Sequence, residues 1–275
     1  MNKVLRWLAA SAGYLLYTAL VLLLLLWVLL PADSIRLWLQ AQLNAVSPAL
    51  RWEIKELHAT LPLSLDATEV RLREAGESGE ELLQVTELRI RPDLGALFVS
   101  RGEYPFRYQL RVMDGNLRGK ASLLEGSRKL RGEGTVENLQ LSKMTAIWTR
   151  LGRPVTGKLS GQYRFEGDWR DPYQGVLTAD LRVADGSISL QQPVFGLNQL
   201  DFSQLTGSLE LKNRALALTQ GKVVSRMLAA EYSGTVSLAQ PMSMSEVKVE
   251  GNLEPRSELL SSLRDQAVVT LIKKQ

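Results

Sequence analysis

Few residues in this sequence are of the types that usually perform chemistry. The chain has no cysteine and a single histidine, His58, which excludes disulfides, thiol nucleophiles and cysteine-ligated metals. A zinc site usually needs several histidine or cysteine ligands, and a serine-type triad needs one well-placed histidine. His58 stands in the alternating segment EIKELHATL, which is typical of a β-strand. We therefore interpret it as an ordinary strand residue, and we expect no catalytic residue and no metal site.

Motifs that bind phosphates or activate a serine are also missing from the sequence. There is no G-x-x-x-x-G-K-[ST] loop and no G-x-S-x-G elbow. Gly132-x-Gly134 lies within an alternating pattern, which favours a feature of a sheet, and Asp168 to Pro172 is typical of a turn. A carboxylate pair for glycoside chemistry is an open alternative, but no residue singles one out. We therefore expect a protein that is not an enzyme and binds no cofactor.

The charged residues are interspersed rather than grouped. The sequence has 33 basic and 29 acidic residues and a net charge of +4, without a run of like sign, so we expect no binding to nucleic acid. Acidic and basic residues alternate along the predicted strands, as they do in cross-strand pairs on a solvated face.

The longest uncharged stretch covers residues 7–30 and is WLAASAGYLLYTALVLLLLLWVLL. About 20 apolar residues in a helix span the hydrocarbon core of a membrane. Lys3 and Arg6 precede it and place residues 1–6 in the cytoplasm by the positive-inside rule. A cleaved signal peptide is the alternative, but this segment is too long for one and no Ala-x-Ala site follows it. We predict a single-pass anchor in a bacterial inner membrane and a periplasmic domain over residues 31–275.

A short amphipathic helix is predicted directly after the anchor. In DSIRLWLQAQLNAV, the residues Ile35, Leu39, Leu43 and Val46 recur at helical spacing. Ser47-Pro48 ends the pattern, because the residue before proline is pushed out of the helical region. Two roles fit this helix: a cap that closes one end of the following sheet, or a helix that lies on the membrane surface.

From Leu50 onward the period changes from 3.6 to 2, which predicts about a dozen strands of ordinary length. Strict alternation with short turns indicates antiparallel neighbours that have one apolar and one polar face. Asp114-Gly115 and Asp185-Gly186 are predicted to be turns. Glycine recurs on the apolar parity, which favours a strongly curved sheet, with a sandwich as the alternative. These glycines are Gly119, Gly132, Gly134, Gly161, Gly167, Gly207, Gly234 and Gly251. The predicted fold class is therefore mainly β: an N-terminal transmembrane helix, then a long, curved, mostly antiparallel sheet that forms a half-barrel or groove, with a few short capping helices.

Two parts of the sequence resemble known families. LPLSLDATEVRL (residues 61–72) resembles the opening of AsmA-like periplasmic proteins. GKLSGQYRFEG, GVLTADLRVADGSISL and the run over residues 202–263 are similar to the protein N family of type II secretion systems, GspN, in its AsmA-like form. Such proteins often end with a further strand, and a short strand over residues 268–272 is the counterpart expected here.

The resemblance implies a non-enzymatic, inner-membrane-anchored periplasmic component of the type II secretion system, with other components of that system as partners. AsmA-like relatives are described as grooves that handle lipids, so the alternative is a lipid-binding or lipid-transporting groove with phospholipid as its partner. The residues expected to line such a groove have the apolar parity. They are Tyr163, Phe165, Leu181, Leu209 and Val249.

Overall fold

The structure is a computed structural model that describes residues 13–18, 21–22, 25, 32–46, 50–60, 64–75, 79, 81–97, 102–145, 148–149, 152–194, 197–238 and 246–261. These residues form a 12-stranded antiparallel sheet in which each strand pairs with its neighbours in sequence. The mainly β, antiparallel fold predicted from the alternation is therefore confirmed. All of the described strands belong to one sheet. The second sheet that a sandwich needs is therefore not present among the described residues.

The elements follow one another in chain order as β-strands with short helices between them. They are α1 (Ala32–Val46), β1 (Leu50–Thr60), β2 (Ser64–Glu74), β3 (Glu81–Pro92), α2 (Leu94–Leu97), β4 (Glu103–Val112), β5 (Gly115–Leu124), β6 (Lys129–Gln140), β7 (Lys158–Asp168), β8 (Val176–Val194), β9 (Leu197–Lys212), β10 (Ala215–Val224), β11 (Leu228–Ser237) and β12 (Glu246–Pro255). Two 3₁₀ turns, Leu141–Lys143 and Pro172–Gln174, precede β7 and β8.

No helix among the described residues has the length and hydrophobicity needed to cross a bilayer. Of the predicted anchor, residues 7–30, the structure describes only 13–18, 21, 22 and 25, and the helical residues there include the exposed Tyr14, Leu15, Leu16 and Tyr17. The remainder of the anchor lies outside the described residues, as does the predicted strand over residues 268–272. Both stay predictions.

The turns differ from those predicted. Between β4 and β5, the first pair is Val112 with Gly115, so the central turn residues are Met113 and Asp114, whose φ values are 49° and 58°. Positive φ at both positions is what a two-residue hairpin of type I′ requires. The predicted turn at Asp114-Gly115 is therefore displaced by one residue.

The predicted turn at Asp185-Gly186 is wrong, because both residues lie inside the long strand β8. Beyond this point β8 remains paired on both sides: Thr156 donates its backbone N–H to the carbonyl of Ser187 (2.9 Å), while β9 pairs with the other edge. Asp185 has a φ of 50° and forms an irregularity within the strand rather than a reversal of the chain.

Similar irregularities lie within β2, β6 and β10. Glu69, Asn138 and Gln220 have φ values of 49°, 53° and 52°, and the pairings are interrupted beside each of them. At the irregularities in β6 and β10 the register shifts by one residue, and an extra residue of this kind bends a strand and increases its twist.

Helix α1 packs along the edge strand β1. Its residues Ile35, Leu39 and Leu43 contact the apolar core, which includes the buried Ile54. Asn44 Oδ1 accepts the backbone N–H of Trp52 (2.7 Å), and Arg36 Nη1 donates to the carbonyl of Ile54 (3.1 Å). These are backbone groups at a sheet edge that would otherwise need water or another strand. The helix covers the β1 edge at Trp52 and Ile54, in agreement with the cap interpretation.

Candidate functional site: the apolar face of the sheet

One cross-strand row of residues organises the apolar face from β4 to β12. The registers place its members directly opposite one another on successive strands. They are Tyr108, Gly119, Gly134, Tyr163, Ala179, Leu209, Leu218, Gly234 and Val249. Directly opposite residues of an antiparallel sheet point to the same face, so this row is a band of the apolar parity.

Two tyrosines of this row meet above the two glycines between them. Tyr108 lies on β4 and Tyr163 on β7, which are three strand spacings or about 14 Å apart, yet their hydroxyl oxygens are 2.5 Å apart. The Tyr108 hydroxyl is also 3.2 Å from the backbone carbonyl of Glu133 on β6 and can donate to it. To meet in this way, both side chains must lie along the sheet surface over β5 and β6.

The glycines under this pair leave the space that the tyrosines occupy. A Cβ atom at Gly119 would lie 2.3 Å from the Tyr108 hydroxyl oxygen and 2.2 Å from the Glu133 carbonyl oxygen. A Cβ atom at Gly134 would lie 2.7 Å from the Tyr108 hydroxyl and 2.6 Å from the Arg118 carbonyl oxygen. Real Cβ contacts are longer, so the flat arrangement of the rings depends on glycine at both positions.

The environment of the pair disfavours ionised phenols. Burial, followed by the hydrogen bond with Tyr163, raises the pKa of Tyr108 well above its usual value. Burial also raises the pKa of Tyr163, while its bond to Tyr108 acts in the opposite direction. Both groups are neutral hydrogen-bonding groups at physiological pH, which suits them to packing rather than to proton transfer.

The residues predicted to line a groove all lie on this face. Tyr163, Leu209 and Val249 belong to the tyrosine row. Phe165 lies opposite Gly132 and Leu177, one row away, and Leu181 lies opposite Gly161 and Gly207 on the other side. Four of the five are partly buried, whereas Val249 is 60% exposed. The structure brings them onto one surface.

Tyr108 was not among the residues predicted to line this face, although its hydroxyl bonds to that of Tyr163 there. The only sequence signal that pointed to Tyr108 was its position on the apolar side of the alternation in β4. Pairing it with Tyr163, which is distant in sequence, requires the registers of β4 to β7.

A cavity of about 830 Å³ lies along the same row. Apart from row members, its lining consists of residues next to the row on their strands and, on β3, next to Ile90, which pairs with Tyr108; examples are Arg91, Lys120, Gln162 and Glu210. These neighbours have the polar parity, and the adjacent apolar residues Phe165 and Leu181 are not part of the lining. The cavity therefore opens on the polar face of the sheet, not on the apolar face.

The polar face carries the charge ladders predicted from the sequence. Arg131 Nε is 3.2 Å from a carboxylate oxygen of Glu166 on the next strand, and Arg164 on β7 pairs with Glu133 on β6 (3.6 Å). The hydrogen bond from Arg131 lowers the pKa of Glu166. These side chains are between half and three-quarters exposed, so each pair contributes little to stability.

His58 lies in β1 opposite Asp66 and is exposed, so its predicted place in a strand is confirmed. The described residues contain no group of three or more histidine, aspartate or glutamate side chains arranged to hold a metal ion. Comparisons of the chain with protein-family models, with curated proteins and with solved structures find no match.

Proposed function

We propose that this protein is a non-enzymatic component of the type II protein secretion system, anchored in the inner membrane with its sheet in the periplasm. The proposal starts from the sequence resemblance to the GspN family over residues 157–263. The structure is consistent with it, since a long sheet of consecutive hairpins is a suitable scaffold on which other proteins can dock.

The filled apolar face is the observation that favours a scaffold over a conduit. Tyr108 and Tyr163 occupy the space above β5 and β6 and hold one another through their hydroxyl groups. The neighbouring Ala179 and Leu211 are 8% exposed. A channel for acyl chains needs free apolar space along the sheet, and at this row the space is taken by the protein's own side chains.

We further propose that the sheet is curved, with the apolar face on the concave side. Register shifts at the positive-φ residues of β6 and β10 bend these strands. Glycines on the apolar parity, such as Gly119 and Gly134, allow close approach on that side. Small-angle scattering of the solubilised protein would test this, because a flat sheet of the same size is longer and has a larger radius of gyration.

The membrane anchor over residues 7–30 belongs to the same proposal. Leu37 and Trp38 on helix α1 are 59% and 62% exposed, whereas Leu39 and Leu43 of the same helix face the core. An exposed tryptophan close to a membrane segment is suited to the interfacial region. The cap role and contact with the bilayer surface are therefore compatible in this helix.

Co-purification tests the secretion role. The tagged full-length protein, extracted from membranes of its native host with a mild detergent, is expected to recover inner-membrane components of the type II secretion system. A chimera in which residues 1–46 are fused to an unrelated periplasmic domain controls for recovery through the membrane segment alone. If the native protein recovers no more secretion components than the chimera does, the proposal is wrong.

A second candidate function is lipid binding, and the exposure near the β12 edge favours it. Val249 and Leu253 are 60% and 44% exposed and extend the apolar face beyond its packed part. Organic extraction of the purified protein followed by mass spectrometry is the test. Stoichiometric phospholipid that is lost in the Val249→Glu variant would support this role. If the native protein carries no more phospholipid than the chimera that contains only its residues 1–46, the role is refuted.

A further inference from the structure

The two edges of the sheet differ in how their backbone groups are satisfied. At β1, the side chains of Asn44 and Arg36 bond to Trp52 and Ile54, so this edge is blocked by helix α1. At the other end, β12 pairs with β11 along its whole length, and no described residue pairs with its outer side. An exposed strand edge is a template for another strand.

The hydrogen bonds to β11 show which β12 groups face outward. Arg256 donates its backbone N–H to the carbonyl of Met227 (2.9 Å), and the register between β11 and β12 has no irregularity. Alternation along the strand then directs the backbone groups of Val249, Gly251 and Leu253 toward the free edge. Pro255 has the same orientation and lacks an N–H, as is usual for an edge position.

We propose that this edge pairs with β12 of a second copy of the chain, in a two-fold symmetric antiparallel arrangement centred on Gly251. Head-to-tail addition of β12 to β1 of another copy is blocked because helix α1 covers β1. A symmetric contact between two β12 edges needs only the edge that no described residue covers, and it gives a closed dimer rather than a fibre.

The sequence of β12 fits this register. With Gly251 on the axis, Val249 lies directly opposite Leu253 of the other copy, so these two exposed apolar residues cover one another. On the polar face, Lys248 lies opposite Glu254, and symmetry repeats both contacts. Neither Lys248 nor Glu254 has an ion-pair partner among the described residues of its own chain.

Other registers are less favourable. An axis through Glu250 places that residue opposite its own copy and Glu246 opposite Glu254, which are like-charge contacts. An axis between two residues sets the apolar faces of the copies on opposite sides of the joined sheet. An axis through Val249 pairs Lys248 with Glu250 but leaves Leu253 outside the pairing within β12.

Charge exchange tests the contact in the full-length protein, solubilised in detergent and followed by sedimentation over a wide concentration range. Lys248→Glu is expected to raise the dimer dissociation constant about tenfold, since two attractive pairs become repulsive. Adding Glu254→Lys should restore the original value. Glu250→Lys, which faces Asn252 in this register, is the matched control and should change little. Circular dichroism verifies that each variant keeps its strand content.

Cross-linking tests the register, and the absence of native cysteine makes it specific. A mixture of Val249→Cys and Leu253→Cys chains is expected to form a disulfide-linked dimer on mild oxidation, whereas either variant alone should not. A dimer from Val249→Cys alone, a protein that stays monomeric at all concentrations, or dimerisation insensitive to Lys248→Glu would each overturn the proposal. So would a Val249→Cys thiol in the monomer that is shielded from a bulky maleimide, because residues of the same chain would then cover the edge.

Discussion

The hydroxyl oxygens of Tyr108 and Tyr163 are 2.5 Å apart although their strands are separated by β5 and β6. This contact connects the apolar sides of β4 and β7 through side chains, in addition to the backbone ladder. The strands between them carry glycine at the positions that the rings cross. A hydrogen bond between two side chains therefore lies within the otherwise apolar face.

Removing one hydroxyl of the pair should weaken the fold. Tyr163→Phe keeps the ring but leaves Tyr108 with only the Glu133 carbonyl as a partner, and we expect a loss of about 1 kcal/mol in the free energy of unfolding. Urea denaturation followed by circular dichroism measures it. Tyr104→Phe is the control, because that hydroxyl bonds to Glu125 at an exposed site and its loss should cost less. Equal effects of the two substitutions would contradict the role of the pair.

The same pair predicts the direction of the alkaline pH dependence. The pKa values of Tyr108 and Tyr163 are raised in the folded protein, so above about pH 10, where unfolded tyrosine ionises, the unfolded chain releases protons that the folded chain keeps. Stability contributed by these phenols is thus complete below pH 10 and is lost as pH rises above it. Denaturation curves at increasing pH should show this decline, and the Tyr108→Phe/Tyr163→Phe double variant should show a shallower one. An unchanged slope in the double variant would refute this assignment.

Two glycines of β6 provide a matched pair of substitutions. Gly134→Ala would place a Cβ atom 2.6 Å from the Arg118 carbonyl oxygen and 2.7 Å from the Tyr108 hydroxyl, and we expect a loss of about 1–3 kcal/mol from overpacking. At Gly132, on the same strand and parity, the nearest atom to an added Cβ is 3.6 Å away. Gly132→Ala should therefore be neutral or slightly stabilising. The thermal midpoints of the two variants compare them directly, and a similar decrease in both would contradict the packing described for Gly134.

The β1 edge offers a test of helix α1 as a cover. Asn44→Ala removes the acceptor of the Trp52 N–H, and leaving this donor without a protein partner should cost about 1–2 kcal/mol. Faster hydrogen exchange at the Trp52 amide is the specific readout. Gln42→Ala, at an exposed position of the same helix, should leave this exchange rate unchanged. If both variants exchange at the native rate, the side-chain contact does not protect the edge.

The strands and their two faces could be predicted because alternation is a local property. In β7, Tyr163 and Phe165 alternate with Arg164 and Glu166, and the structure places the two pairs on opposite faces. Turn positions were less predictable. Met113, a buried apolar residue, occupies a turn position with positive φ, and nothing in its residue type indicates this.

Asp185-Gly186 shows why a turn dipeptide can mislead. A Cβ atom at Gly186 would lie 2.3 Å from the Thr156 carbonyl oxygen and 2.5 Å from the Phe202 ring, so glycine is needed here for close approach. The residues around Thr156 that pair with one edge of this part of β8 precede β7 in the sequence. The local pattern carries no information about them, and the same holds for the contact between Tyr108 and Tyr163.

The strictly sequential strand order has a kinetic consequence. Each strand from β2 to β12 pairs with the strand immediately before it, so every hairpin joins segments that are close in the chain and pays little loop-closure entropy. A chain that emerges N-terminus first can add strands one at a time to an edge that is already formed. Vectorial folding then starts at the end covered by helix α1, and among the described strands the β12 edge forms last.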